Sequence, residues 1–489
     1  MVRMLAALLL TPMLTDCGAA PPPAPDPRTL LLQTINAESD RIQLVTEHRF
    51  NTLAVEKYRL ANGLTVLYLP DHGAPVLSYQ TWFRVGSRDE KPGKTGIAHL
   101  FEHLMFKETK NTPEGEFDRR LERIGGRVNA ATWLDWTYYH EDVPSAHLAE
   151  VVHLEADRME HMVLNHDQLE AERDVVMNER KEYVDNDPGG KLSEVLWALA
   201  LDDHPYGHPT IGWMDDIAGL SLQDCLAFYG TYYAPNNAVI VVAGDVDRAT
   251  LLDQILQKYG HMPAQAVPER GIATESVQAA PRFSELRLPL SAERLLMAWR
   301  APAVTDPTHA AFEVLNEVLF EGDSARLYRA LITDGELASS ASAFVPGFRE
   351  AGLYEVSVDL RPGHTAEEAE QIVLHHFARV SAEGITEGEL QKARNKLETS
   401  FYRTLQTAQQ RARALGFWEV TAGDFRHLFT ATDLLDRVTR EEVQQAAVSI
   451  LRPEGRSVVY GRPSGEDPTA VDHGGADHEG EDAVPPEAP

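Results

Sequence analysis

The sequence predicts an α+β protein made of two structurally similar α/β-sandwich domains in tandem. Three observations lead there. Strand-like runs rich in Val, Ile, Tyr and Trp alternate with helical runs between residues 51 and 262. The same order of elements starts again after a Pro-, Ala- and Gln-rich stretch at 263–281. The chain has 489 residues, 43% hydrophobic and 25% charged, enough for two to four domains at roughly 100–200 residues each and for sizeable cores.

Taken in order, the N-terminus reads as a targeting segment over residues 1–20. Arg3 precedes the apolar run Met4-Leu5-Ala6-Ala7-Leu8-Leu9-Leu10, too short to span a bilayer but typical of a secretory signal. Cys17, in Leu14-Thr15-Asp16-Cys17-Gly18, resembles the lipidated cysteine of a bacterial lipobox, with Asp16 departing from the small residue usual there. Cleavage near Ala19-Ala20 without lipidation is the alternative. Either way the expected location is periplasmic or outer-membrane-anchored. Residues 21–50 read as a linker and N-terminal extension that begins with a Pro-rich spacer.

The first domain is expected over 51–262. Asn62-Gly63 between apolar runs marks a hairpin. A strand is expected at 76–85, helices at 96–106 and 114–124, strands within 126–143, helices at 146–161 and 167–184, and a buried strand at 237–246. Asp185-Asn186-Asp187-Pro188-Gly189-Gly190 reads as a break. The second domain, expected over 282–463, shows strands at 294–300, 338–348, 352–360 and 456–460, with helices at 309–319, 325–331, 366–382 and 387–402. Residues 464–489 form an acidic, low-complexity tail expected to be disordered, with eight acidic residues and no basic residue after Arg462.

Charge and cysteine content exclude several classes. Lys+Arg total 45 and Asp+Glu 75, a net of 45 − 75 = −30, which argues against nucleic acid or an anionic membrane surface as the main partner and suits basic or extended peptides. Two cysteines, Cys17 and Cys225, cannot build a disulfide framework. Cys225 lies in a helical run and reads as a buried structural residue.

The chemistry-bearing feature is His99-Leu100-Phe101-Glu102-His103. On a helix His99 and His103 share a face, and Glu102 projects beside both rings. Two imidazoles so spaced can bind Zn²⁺, and the carboxylate can take a proton from water; this is the H-x-x-E-H order of inverzincins. The pentapeptide alone would arise by chance in roughly one such chain in twenty. It also needs a third ligand. Glu172 and Glu179, two turns apart on the helix 167–184, share a face and are the candidates.

These residues resemble the pitrilysin/insulysin/mitochondrial-processing-peptidase family of zinc peptidases. Gly96-Ile97-Ala98-His99-Leu100-Phe101-Glu102-His103-Leu104-Met105-Phe106-Lys107 matches its metal helix. Gly125-Gly126-Arg127-Val128-Asn129-Ala130-Ala131-Thr132 matches its Gly-Gly…Asn-Ala-x-Thr strand, and Glu172-Arg173-Asp174-Val175-Val176-Met177-Asn178-Glu179 its second metal helix. The likeness runs from about Val55 to Arg462. It implies that His99, His103 and Glu179 bind one Zn²⁺ per chain, with Glu102 as general base and Glu172 as a supporting glutamate that orients the site. It implies that Asn129 and Ala130 lie on an edge strand that pairs with substrate. In the second domain His364, His375 and His376 have no following Glu-His, so no catalytic zinc is expected there.

One departure bears on assembly. The family's second half usually carries Ser-Ser-Arg-Leu…Leu-Arg, then Tyr seven residues on, and that Arg–Tyr pair contacts substrate. Here the two positions hold Ile332 and Ser339, while Arg326 matches a different, structural arginine. The implied protein is the catalytic subunit of a peptidase heterodimer, with a homodimer as the other arrangement and a noncatalytic peptide-binding or assembly subunit as the alternative function. His147, His153, His161 and His166 do not repeat the metal spacing and read as solvated. The aromatic run 133–139 reads as core or chamber wall.

Overall fold

Strand β7, Ala238–Gly244, is apolar at nearly every position and buried along its whole length, so a layer must cover each of its faces. The computed structural model describes residues 41–273 and 275–465. The residues expected to form a targeting segment, Cys17 among them, and the residues beyond Gly465 lie outside them. Strands β1 (Ile42–Phe50), β2 (Leu53–Leu60), β3 (Thr65–Pro70), β4 (Val76–Phe83), β5 (Arg127–Thr132), β6 (Thr137–Pro144) and β7 form a sheet of order β1-β2-β3-β7-β4-β6-β5. Strands β8 (Arg282–Leu288), β9 (Arg294–Arg300), β10 (Ala338–Phe344), β11 (Leu353–Leu360) and β12 (Ser457–Pro463) form a second, of order β10-β11-β9-β12-β8.

The duplication lies in pairing rather than in residues. β3 runs parallel to β7 and β8 parallel to β12, and the remaining neighbours in β7-β4-β6-β5 and β12-β9-β11-β10 are antiparallel. Each half is thus the same five-stranded unit. The predicted fold, two similar sheet-plus-helix domains, is the one observed.

The helices of the first half are α1 (Ile97–Leu104), α2 (Glu116–Arg123), α3 (Leu148–His161), α4 (His166–Arg180), α5 (Pro188–Ala200), α6 (Met214–Ala218), α7 (Leu222–Tyr232) and α8 (Arg248–Tyr259). Those of the second are α9 (His309–Leu319), α10 (Ala366–Glu383), α11 (Glu387–Arg403), α12 (Ala408–Thr421), α13 (His427–Arg437) and α14 (Arg440–Ile450). Among the described residues no helix is long and apolar enough to cross a membrane. On one face of the first sheet Val66, Tyr68, Phe83, Ile240 and Val242 pack with Leu100 and Phe101 of α1 and Val151 of α3. The alternate residues Leu67, Leu69, Trp82, Val239 and Val241 point the other way.

What covers that second face comes from the other half. Ala412, Leu415, Phe417 and Val420 of α12, with Phe425 and Phe429 beyond it, pack there. The exchange is mutual, for Leu192, Leu196 and Ala200 of α5 pack on Leu296, Ala298 and Val459 of the second sheet. Each half lends one helix to the other's sheet. Glu419, 1% exposed, pins α12 by an ion pair to Lys57 (2.6 Å) and a second contact to Arg84 (3.3 Å).

Several elements depart from the sequence reading. Asp187-Pro188-Gly189-Gly190 does not end structure but starts α5: Asp187 accepts the Gly190 N–H as N-cap and Pro188 takes the first turn, where its missing N–H costs nothing. Residues 42–50, assigned to the N-terminal extension, form β1 instead. Most of its residues are exposed, so its sequence lacks the alternation that marks a half-buried strand, and it is held by backbone pairing with β2. Strand β8 and helices α6, α8 and α12–α14 carry no assignment in the sequence reading.

Candidate metal centre

Helix α1 buries Ile97, Ala98, Leu100, Phe101 and Leu104, and this stripe leaves His99, Glu102 and His103 on the remaining face, half-buried. The two rings sit 4.9 Å apart between centroids. Helix α4 packs beside α1 through Leu169, Glu172 and Val176. Glu179 lies at the edge of that stripe and reaches both imidazoles: His103 Nε2 stands 3.4 Å from Oε2 and His99 Nε2 3.8 Å from Oε1.

Donor atoms of His99, His103 and Glu179 all lie within 4.8 Å of one another, and among the described residues no other group of three does so. A tetrahedral zinc with bonds near 2.0–2.1 Å would hold its donor atoms about 3.4 Å apart, so the spacing fits the ion. Glu179 Oε2 is buried without a hydrogen bond despite the nearby imidazole, as a donor set toward a central cation would be.

The electrostatics agree. Burial alone would lower both imidazoles, and it does lower His99. At His103 the carboxylates of Glu172 and Glu179 outweigh burial and push the ring up to about 9. Burial raises Glu172 and Glu179, yet their cationic neighbours, His103 above all, hold both below the usual glutamate value. The pocket is one that stabilises positive charge. Glu102, half-buried, hydrogen-bonds to none of the described residues, which leaves its carboxylate open toward the space beside the rings.

Behind the donors lies a second layer. Glu172 Oε2 is 3.5 Å from His103 Nδ1, on the ring side away from Glu179, and its Oε1 is 2.6 Å from Lys107 Nζ. Lys107 is also held by Glu114 at 3.0 Å. Such a partner sets the tautomer and orientation of an imidazole donor. The sequence reading did not weigh Lys107. Its signal was its place four residues after His103, with Glu114 seven residues further on.

Asn129 and Ala130 lie on β5, the last strand of its sheet, which packs beside α1. Asn129 is exposed, and its Oδ1 accepts the Ala130 N–H at 2.8 Å. Ile332 packs on the second core and Ser339 Oγ donates to the Asp359 carbonyl at 3.2 Å, so neither position offers a cation or phenol. Arg326 is occupied by a two-pronged contact with Glu389, 2.7 Å at each prong. In the second half Lys396 Nζ bridges α11 to Glu317 of α9 at 2.5 Å. An ammonium ties that helix pair together. Trp136 and Tyr138 are buried beneath α12, Tyr138 stacking on Trp82 at 4.3 Å, and His161 pairs with Asp157 at 3.2 Å.

Comparison with known proteins places this geometry. The family model described as Insulinase (Peptidase family M16) matches residues 65–212, and that described as Peptidase M16 inactive domain matches 219–397. The zinc protease PqqE of Helicobacter pylori is 31% identical over 386 residues, covering 78% of this chain and 85% of that protein. The chain belongs to peptidase family M16. Within M16 it is also similar to the mitochondrial-processing peptidase subunit beta of Blastocladiella emersonii, 24% identical with 82% of this chain and 87% of that one covered. A crystal structure of a protease from Helicobacter pylori superposes with a TM-score of 0.79 at 28% identity, covering 84% of this chain and 99% of that chain. The periplasmic protease PqqL of Escherichia coli shares the fold at a TM-score of 0.70 and 19% identity; the match covers 86% of this chain but 48% of that one. The Helicobacter pylori relative is named a zinc protease.

Proposed function

We propose that this protein is a zinc-dependent endopeptidase that hydrolyses extended peptides. The observation that carries the reading is the convergence of His99, His103 and Glu179 from two helices onto one point, with Glu102 unengaged beside them. His99, His103 and Glu179 would hold Zn²⁺, which when bound acts as a Lewis acid toward a carbonyl and makes water more acidic. Glu102 accepts the proton from the attacking water and can return it to the leaving amine. Glu172, held by Lys107 and Glu114, keeps the His103 ring oriented. β5 offers its free edge, at Asn129 and Ala130, to an extended peptide backbone, so recognition is by strand addition and folded proteins are poor substrates.

Assembly belongs to the same proposal. PqqL, twice the length of the matched region, contains more than one such unit's worth of chain, and the Blastocladiella relative is named as a subunit. Ile332 and Ser339 leave the second half without an Arg–Tyr pair, so a homologous partner subunit is proposed to face the site and supply it, in a heterodimer. The location proposed from the signal segment is the periplasm or, if Cys17 is lipidated, the outer membrane.

The test is cleavage of a quenched-fluorescence peptide library by the zinc-loaded chain, with Glu102→Gln as its pair. Turnover that falls at least a hundredfold in the variant, with zinc still bound, supports the proposal. Peptide binding with no turnover in either protein, alone or with a homologous partner, would instead favour a noncatalytic subunit, the reading to which the inactive-domain match points.

A further inference from the structure

The metal helix has an unusual start. Its N-cap is Gly96, which has no side chain to offer, yet the orphan N–H groups of a helix N-terminus need partners. They find one in Glu90, whose side chain is fully buried. Gly96 N–H donates to Glu90 Oε2 at 2.9 Å and Ala98 N–H to Oε1 at 2.8 Å. Both oxygens are used, and the carboxylate sits at the positive end of the helix. One residue earlier, Thr95 is tied through its N–H (3.2 Å) and hydroxyl (2.7 Å) to Asp216 Oδ2.

Glu90 continues directly from two residues that face elsewhere. Arg88, 7% exposed, places Nη2 2.5 Å from Glu350 Oε1 and 3.1 Å from the Gly271 carbonyl. Asp89 pairs with Arg270, whose Nε donates to Oδ1 at 3.0 Å. Gly271 and Arg270 belong to the connecting segment and Glu350 to the loop between β10 and β11. The same loop reaches the turn after β5, for the Arg349 N–H donates to Asp135 Oδ2 at 2.9 Å, and the connector's Arg270 Nη2 donates to the Asp135 carbonyl at 2.9 Å.

We infer that Arg88, Asp89 and Glu90 form a positioning relay in which docking of the second half and its connector fixes the start of the metal helix. The second half, which carries no donor, then acts on the site through residues that touch no donor. The inference rests on the reading of α1 as the metal helix. Glu90 is a positioning residue, as are Arg270 and Glu350 behind it. Glu90→Gln exchanges one acceptor oxygen for an N–H₂ group that faces a backbone N–H, so the cap is half lost with little change of volume.

The test measures zinc affinity by chelator competition, together with thermal midpoints, for Glu90→Gln, Arg270→Met, Glu350→Gln and the pairwise combinations. Val373→Ala, a cavity in the core of the second half away from the connector and the docked helix, is the control for general destabilisation. The expected result is zinc affinity weakened about tenfold by Glu90→Gln, in the range of other supporting residues, weakened in the same direction by both remote variants, and less than additive in combination, with the control unchanged. Remote variants that lower the midpoint yet bind zinc like the control overturn the relay. A wild-type chain that takes up no zinc overturns the metal assignment instead, so the two failures are distinguishable.

Discussion

At the scale of single residues, the site is defined by what stands behind each donor. His103 is held from both ring nitrogens by carboxylates, and Glu172 is in turn held by Lys107. Lys107→Met is expected to weaken zinc binding by about tenfold, the low end for outer residues, with Lys107→Arg restoring most of it; competition with a chelator reads both. A second buried charge cluster lies within the same half. Glu141, Glu155 and Arg158 are each no more than 1% exposed, and Arg158 donates to Glu141 at 3.2 Å while also contacting Glu155. Burial first, then the neighbouring Glu155, raises the Glu141 carboxyl well above its usual value against the pull of Arg158. A raised acid favours the folded state while protonated, so this stabilisation is complete below the unfolded carboxyl value near 4.3 and drains away as pH rises through the folded one. Thermal midpoints from pH 6 to 9 should therefore fall less steeply in Glu141→Gln than in the wild type. An equal slope would remove Glu141 from the account.

Elements follow from local rules where those rules are complete. Helices α1 and α4 were both legible from their patterns, and the structure adds Asn165 as the cap of α4, accepting the Gln168 N–H. Helix α5 had an equally good start in Asp187 and Pro188, but the pair of glycines after it carries the composition of a loop. β1 is an exposed edge whose order comes from pairing, a contact that composition does not report. Helix α12 shows what tertiary contact demands of an element. A Cβ built on Gly416 would lie 2.2 Å from Trp82 Nε1, so the helix comes closer to the sheet than any side chain allows. Gly416→Ala should cost about 1–3 kcal/mol by forcing the two apart, despite the better helix propensity of Ala. Chemical denaturation measures it, and a neutral or stabilised variant would show that α12 has room to shift.

For the whole molecule, the exchange of α5 and α12 joins the halves into one cooperative body. Without the second half, Trp82, Trp136, Tyr138, Val239 and Val241 would lose their cover, leaving an apolar face that a soluble domain rarely exposes. Residues 41–262 made alone are expected to aggregate or to lack fixed tertiary structure by near-ultraviolet circular dichroism, while the full chain melts in one transition. A folded, monomeric first half would refute this. The same exchange leaves little freedom for motion between halves, so in the proposed assembly the opening that admits a peptide lies between this chain and the proposed partner subunit.

The sequence alone determined the two α+β halves, because period-2 and helical patterns survive wherever one face is buried. It also brought His99, Glu102 and His103 together, because four residues on a helix suffice. Glu179, 76 residues beyond His103, was singled out by resemblance to a family, since any exposed helix carries glutamates. Only the tertiary structure decided which half covers which sheet, and that Lys107, Glu90, Arg270 and Glu350 stand behind the site. The contacts that matter most, Lys107 to Glu172, Arg270 to Asp89 and Glu350 to Arg88, join residues distant along the chain, and their side chains look like ordinary surface charges until folding buries them.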